Sequence, residues 1–185
     1  MLDDTAERAA GGVRPHLPAG VALRPATDAD LPFLAELYAS TRRDEVAQTP
    51  WSDEQKEAFL RWQFEAQHAH YLEHYPDCDR RVIERHGEPV GRLYVDRWES
   101  EIRLVDVALL PGHRGGGLGG ALVARLLDEG RASGKPVSIH VEYNNPALRL
   151  YGRLGFRHVD SNGIYYLMRW EPEGAGGMDE AEEGA

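Results

Sequence analysis

The spacing of apolar side chains changes from a helical to a strand period along this chain. A short strand is predicted at 21–24, and apolar residues then recur every three or four positions from 29 to 38 and again from 52 to 76. Ser52 and Gln55 form a capping-box pattern at the start of the second stretch, and Pro76 ends it. The pattern therefore predicts one strand followed by two helices.

The middle of the chain alternates apolar and polar residues between turn signals. Residues 81–85, 90–98 and 101–110 are predicted as three consecutive antiparallel strands. A helix follows at 118–132, and Gly134 ends it.

The last part of the chain repeats the alternation of strand and helix. We expect a strand at 137–143, a helix capped by Asn145 and stopped by Gly155, and a closing hairpin around Asn162-Gly163. The whole order predicts an α+β fold. Its mixed central sheet has about seven strands, mostly antiparallel with one parallel crossover, and about four helices flank it.

Length and composition are those of one ordinary domain. The chain has 185 residues, 42% of them hydrophobic and 28% charged, and a formal charge of −10. Residues 171–185 carry six acids and no lysine or arginine, and residues 1–20 carry three acids and two arginines, which leaves −3 for 21–170. We expect disordered segments at 1–20 and 171–185 around a single domain at 21–170, with neither nucleic-acid nor membrane binding.

The number of cysteines and the N-terminal residues indicate a cellular compartment. The chain has one cysteine, Cys78, and acids precede the first apolar run, so we expect neither a disulfide nor a signal peptide. The expected location is the cytoplasm.

A glycine-rich loop between a strand and a helix is the main chemical signal. It comprises Arg114, Gly115, Gly116, Gly117, Leu118, Gly119 and Gly120. Unshielded N–H groups at a helix N-terminus suit a phosphate, and an arginine adds donors; a plain flexible connection is the alternative. The dinucleotide fingerprint is formally present, but Lys135-Pro136 stands where its acidic partner is expected.

These residues resemble the pyrophosphate motif of the GNAT superfamily of acetyl-CoA-dependent N-acetyltransferases, R/Q-x-x-G-x-G/A. Arg114, Gly117 and Gly119 meet it. A second family pattern, N-x-x-A-x-x-L-Y-x-x-x-G-F, is met at 144–156. The resemblance covers about 21–170 and implies the GNAT fold.

The resemblance also implies contacts for acetyl-CoA, used as co-substrate. Backbone groups matching Val107, Ala108 and Leu109 pair with the pantetheine arm, and the glycine loop holds the pyrophosphate. Asn144 matches a position that contacts the arm, although a turn residue before the helix is an equally good interpretation.

Tyr151 matches the family tyrosine that donates a proton to the departing thiolate, and a core tyrosine is the alternative. A phenol stays protonated at neutral pH, as a general acid must. The general base is open among Asp106, which lies inside an apolar strand, Glu142, His140, His113 and a water relay. Asp106 and Glu142 are the first candidates, and Asp106 is either functional or well satisfied by partners.

The long helix carries His68, His70 and His74, which we expect to face solvent rather than bind metal. Trp62 and Tyr71 on the same helix are expected in the core. The resemblance implies an N-acetyltransferase acting on a small-molecule or peptide primary amine, with a homodimer plausible. A non-catalytic acyl-CoA-binding module on the same fold is the alternative.

Overall fold

Seven strands form one mixed sheet in the computed structural model, which describes residues 17–173. The strands are β1 Val21–Pro25, β2 Asp79–Arg85, β3 Glu88–Arg97, β4 Ile102–Leu109, β5 Val137–Glu142, β6 Arg157–Asn162 and β7 Tyr165–Trp170. The helices are α1 Leu31–Ala47, α2 Asp53–His74, α3 Leu118–Ser133 and α4 Leu148–Arg153. Short 3-10 turns, Asp28–Asp30 and Pro111–His113, precede α1 and the glycine loop.

The sheet order is β1-β2-β3-β4-β5-β7-β6, and β4 with β5 is its parallel pair. That pairing ends at Leu104 and Ile139, although both strands continue beyond it. The register between β3 and β4 also shifts, because Tyr94 faces Asp106 whereas Val95 faces Leu104. A bulge therefore lies where β4 separates from β5, and a slot opens between their ends. The predicted fold class is confirmed.

The sheet carries its main core on the α3 side. Leu93, Val95 and Leu104 pack there with Leu122 and Leu126 of α3. A second apolar cluster, which includes Leu34 and Phe64, joins α1 to α2. Alternate residues of β3 point to the opposite face of the sheet. That face holds the buried polar side chains of the site.

Local sequence signals set most element boundaries. Ser52 accepts a hydrogen bond from the N–H of Gln55, as the capping-box pattern predicts. Helix α1 runs to Ala47, beyond the predicted end at 38, because Val46 is buried against α2. Helix α4 starts later than expected, since the Asn145 side chain accepts from the N–H of Ala147 at 2.9 Å and forms a turn first.

The segments expected to be disordered fall mostly outside the described residues, at 1–16 and 174–185. Leu17 packs against the main core. Within residues 17–173, no helix is both long and apolar enough to cross a membrane.

Candidate functional site

The slot between β4 and β5 exposes main-chain groups of β4. The N–H of Leu110 donates to the carbonyl of Val90 at 2.9 Å, so the preceding carbonyl, that of Leu109, points away from β3 and into the slot. Val107 lies two residues before Leu109, and since backbone groups alternate in direction along a strand, its carbonyl points into the slot as well. Ala108 faces β3, where its carbonyl oxygen is the nearest atom to the position that a Cβ on Gly91 would occupy. Of the three predicted backbone contacts, Val107 and Leu109 therefore line the slot.

The glycine loop lies beside the slot, at the start of α3. Gly115 and Gly117 have φ angles of 75° and 83°, which side chains rarely adopt. Gly115, Gly116 and Gly117 are exposed, and a Cβ on any of them would meet nothing within 4 Å. The N–H groups of 118–120 have no partner within the helix, because they lie in its first turn. No side chain caps α3 in their place. Donors without helical partners, next to an exposed glycine loop at the positive end of a helix, fit a pyrophosphate.

Gly119 and Gly120 face the interior rather than the open loop. A Cβ on Gly120 would lie 3.4 Å from the Leu150 side chain of α4, and one on Gly119 would lie 4.0 Å from Leu109. Leu118 is buried in the core. These residues fix the first turn of α3 close to β4 and α4.

Arg114 is folded back from the loop. Its Nε donates to the Leu109 carbonyl at 2.7 Å, and its Nη2 lies 3.2 Å from the hydroxyl oxygen of Ser40 on α1. The guanidinium thus occupies a main-chain acceptor of the slot. To contact an anion in the loop, it must give up these bonds.

Asp106 is held through one carboxylate oxygen. Oδ2 forms an ion pair with Arg92 of β3 and accepts a hydrogen bond from the Tyr71 hydroxyl at 3.2 Å. Oδ1 has no hydrogen-bond partner among residues 17–173, and the side chain is 16% exposed. The residue is therefore well partnered at Oδ2 and open at Oδ1.

Arg92 is a buried residue of the site that sequence reasoning missed. It is 4% exposed, its Nη2 donates to Gln67 of α2 at 2.7 Å, and its guanidinium lies over the Tyr94 ring at 5.4 Å. Its Nε is buried without a partner in the described part of the chain. The available signal was a charge inside the apolar strand 90–95, the same signal that singled out Asp106.

Glu142 and His140 are engaged by arginines. Arg42 of α1 contacts both carboxylate oxygens of Glu142. Arg103 lies 2.8 Å from the Nδ1 of His140, and since an arginine only donates, that nitrogen is the acceptor and Nε2 carries the proton. Burial and the charge of Arg103 lower the pKa of His140, so the neutral ring is favoured. This tautomer has no free lone pair with which to act as a base.

Tyr151 lies on α4 and is 3% exposed. Its ring packs edge-on against Phe156 at 5.5 Å. Burial, and then the charge of Asp106, raises the pKa of its hydroxyl, which keeps the phenol protonated. No group within residues 17–173 forms a hydrogen bond with that hydroxyl. The aromatic contacts match the core interpretation, and the hydroxyl keeps its proton at neutral pH.

The other predicted positions divide between surface and core. Asn144 is exposed, whereas Asn145 makes the turn. Tyr71 is partly buried and lies outside both apolar clusters. Trp62 is 62% exposed, because its side of α2 faces solvent, so its prediction as a core residue is wrong. His113 has a buried Nδ1 without a partner in the described region.

The histidines of α2 make no metal site in the described residues. The rings of His70 and His74 stack at 4.1 Å. Across 17–173, no group of three or more histidine, cysteine, aspartate or glutamate side chains is arranged to hold a metal ion.

Comparisons with known proteins agree with this geometry. A family model described as the acetyltransferase (GNAT) family matches residues 34–156. Among solved structures, the chain resembles the PaiA N-acetyltransferase of Thermoplasma acidophilum in complex with coenzyme A, at 16% identity, 82% and 98% coverage of the two chains and a TM-score of 0.62. It also resembles an acetyltransferase from Thermus thermophilus, at 20% identity, 82% and 96% coverage and a TM-score of 0.60.

A further similar structure, from Corynebacterium glutamicum, is described as "histone acetyltransferase HPA2 and related acetyltransferase". The identity is 24%, the match covers 83% of this chain and 96% of that one, and the TM-score is 0.56. At these identities the likeness shows a shared fold. A comparison with curated proteins gave no match.

Proposed function

The chain belongs to the acetyltransferase (GNAT) family, and we propose that it transfers the acetyl group of acetyl-CoA to a primary amine by direct attack in a ternary complex. The observation that carries this proposal is the juxtaposition of three features. A glycine-lined helix N-terminus, a slot lined by strand backbone groups and a partly open carboxylate, Asp106, all lie where β4 separates from β5 or just beyond it.

The residues present fit acetyl-CoA as co-substrate. The N–H groups of 115–120 would hold the pyrophosphate, with Arg114 turning from Leu109 to the phosphates. Val107 and Leu109 would pair with the amides of the pantetheine arm as an added strand does. Bound in this way, acetyl-CoA supplies an activated thioester. Asn144, exposed after β5, is a further proposed contact with the arm.

Asp106 is the proposed general base in preference to Glu142. An acceptor ammonium must lose a proton before its nitrogen can attack, and Oδ1 of Asp106 is available to take it. Both oxygens of Glu142 are already bound by Arg42. The nitrogen then forms a bond to the carbonyl carbon and gives up its second proton to solvent. The carbon–sulfur bond breaks, with its electron pair going to sulfur.

Tyr151 is the proposed general acid. Its hydroxyl proton passes to the departing thiolate, and solvent afterwards returns a proton to Tyr151 and removes the one held by Asp106. Because burial raises the pKa of Tyr151, the phenol is in the donating form throughout the neutral range.

The test measures CoA release from acetyl-CoA with a broad panel of primary amines. We expect turnover with at least one amine. Tyr151→Phe should lower kcat by about a hundredfold, the usual contribution of a positioned acid, and leave the Kd for acetyl-CoA unchanged. Binding of acetyl-CoA without turnover of any amine would instead support the non-catalytic module.

A further inference from the structure

We propose that Arg92 and Tyr71 are positioning residues that hold Oδ2 of Asp106 and so leave Oδ1 to receive the proton of the acceptor amine. The inference rests on the proposed function, in which Asp106 is the base. Arg92 forms the ion pair, and the Tyr71 hydroxyl donates to the same oxygen at 3.2 Å.

One face of α2 sets both contacts. Gln67 and Tyr71 are four residues apart and therefore share a side of the helix. Gln67 accepts from Arg92 at 2.7 Å, and Tyr71 donates to Asp106. The contacts run from Gln67 to Arg92, from Arg92 to Asp106 and from Asp106 to Tyr71. This series of contacts starts and ends on α2. A carboxylate held from two directions has little rotational freedom, which is what a proton acceptor of fixed direction requires.

Stability alone does not account for this arrangement. A buried ion pair gains little over well-packed apolar side chains, since both ions lose their hydration. Arg92 also keeps a buried Nε without a partner in the described region, which lowers the stability of the fold. An arrangement that is costly for folding and lies next to the slot-lining Val107 is better explained by a role in the reaction.

The groups around Asp106 let its protonation be measured. Burial raises the pKa of Tyr71 and of Tyr94, so these phenols stay neutral at acid and neutral pH, as Tyr151 does. The ionisable groups that interact with Asp106 or with its partners are Arg92 and Tyr94 of β3, Tyr71 and His68 of α2, Tyr38 of α1, Tyr151 of α4 and Tyr165 of β7. Among them, burial lowers the pKa of His68, so this residue needs a control of its own.

The main experiment compares Tyr71→Phe with Tyr75→Phe. Both substitutions remove one hydroxyl from the same end of α2, but the Tyr75 hydroxyl makes no hydrogen bond in the described residues. The pH dependence of kcat/KM is measured with the fastest amine of the panel. Tyr71→Phe removes a hydrogen bond that favours the charged carboxylate, so Asp106 takes up its proton at higher pH. We expect the acid limb to move up by about one pH unit in Tyr71→Phe and to stay in place in Tyr75→Phe.

Two further variants separate positioning from simple damage. In an Asp106→Asn background, adding Tyr71→Phe should change the rate less than twofold, because residue 106 then has no carboxylate for Tyr71 to hold in position. His68→Gln should leave the acid limb unmoved. An unshifted limb in Tyr71→Phe, or a limb that follows His68 instead, would overturn the proposal.

A carboxyl carbon NMR titration of aspartate-labelled protein tests the anchor without an acceptor. Asp106→Asn identifies the resonance, and its midpoint should rise in Tyr71→Phe and not in Tyr75→Phe; equal midpoints in the two variants would refute the anchoring. If no amine reacts in the panel, the proposed function fails, while this titration still decides whether Tyr71 holds the carboxylate.

Discussion

Replacing Gly117 by alanine tests whether the glycine loop has the backbone conformation described. Gly117 has a φ angle of 83°, and its Cβ would meet no atom within 4 Å. The cost of Gly117→Ala is therefore conformational rather than steric, about 1 kcal/mol for an alanine held in the left-handed region. Gly116 has equally open surroundings but no positive φ angle, so Gly116→Ala is the matched control.

The expected result is a selective loss of stability. Urea unfolding should show Gly117→Ala less stable by about 1 kcal/mol, with Tm lower by about 2–4 °C, and Gly116→Ala within about 0.5 kcal/mol of the wild type. If the loop relieves the strain by turning its N–H groups away, the Kd for acetyl-CoA should also rise by about fivefold in Gly117→Ala. Equal losses in both variants, or no loss in Gly117→Ala, would be incompatible with a left-handed conformation at this position.

Two further predictions concern ion pairs away from the loop. Glu142→Gln should lower kcat by less than tenfold, since Arg42 already binds both carboxylate oxygens; a loss of a hundredfold or more in the amine assay would make Glu142 the base. A hydrogen bond from Arg24 holds the pKa of Asp30 well below its usual range, so its carboxylate stabilises the fold above about pH 4, and this contribution is lost as the pH falls. Asp30→Asn also weakens the capping box with Thr27. It should lower the free energy of unfolding in urea by about 1 kcal/mol at pH 7 and by less at pH 3. An equal loss at both pH values would contradict the stabilising role of the Asp30 carboxylate.

The parts of the site that depend on local sequence were predictable. The glycine loop joins strand β4 to helix α3, as the sequence predicted, and its anion site stays a prediction. The order of elements along the chain and the parallel crossover followed from periodicity and turns together with the family resemblance. Asp106 was singled out because a charge inside an apolar strand requires an explanation.

The partners of these residues were not predictable in the same way. Tyr71 and Asp106 are 35 positions apart, and Arg42 and Glu142 are 100 apart, so their contacts depend on how α1 and α2 pack on the sheet. The bulge in β4, which sets the face that Asp106 occupies, leaves no clear mark in the sequence. A shift of one residue there would turn the carboxylate to the opposite face of the sheet.

Calorimetric titration of acetyl-CoA decides whether the glycine loop holds the co-substrate. The wild type is compared with Gly116→Glu, which puts a negative charge into the loop without a strained φ angle, and with Gly112→Glu, an equally open position before the loop. We predict binding by the wild type and by Gly112→Glu, and a loss of at least about a hundredfold in affinity for Gly116→Glu, because the added carboxylate repels the pyrophosphate. Unchanged binding by Gly116→Glu, or no binding by the wild type, would contradict the proposed site.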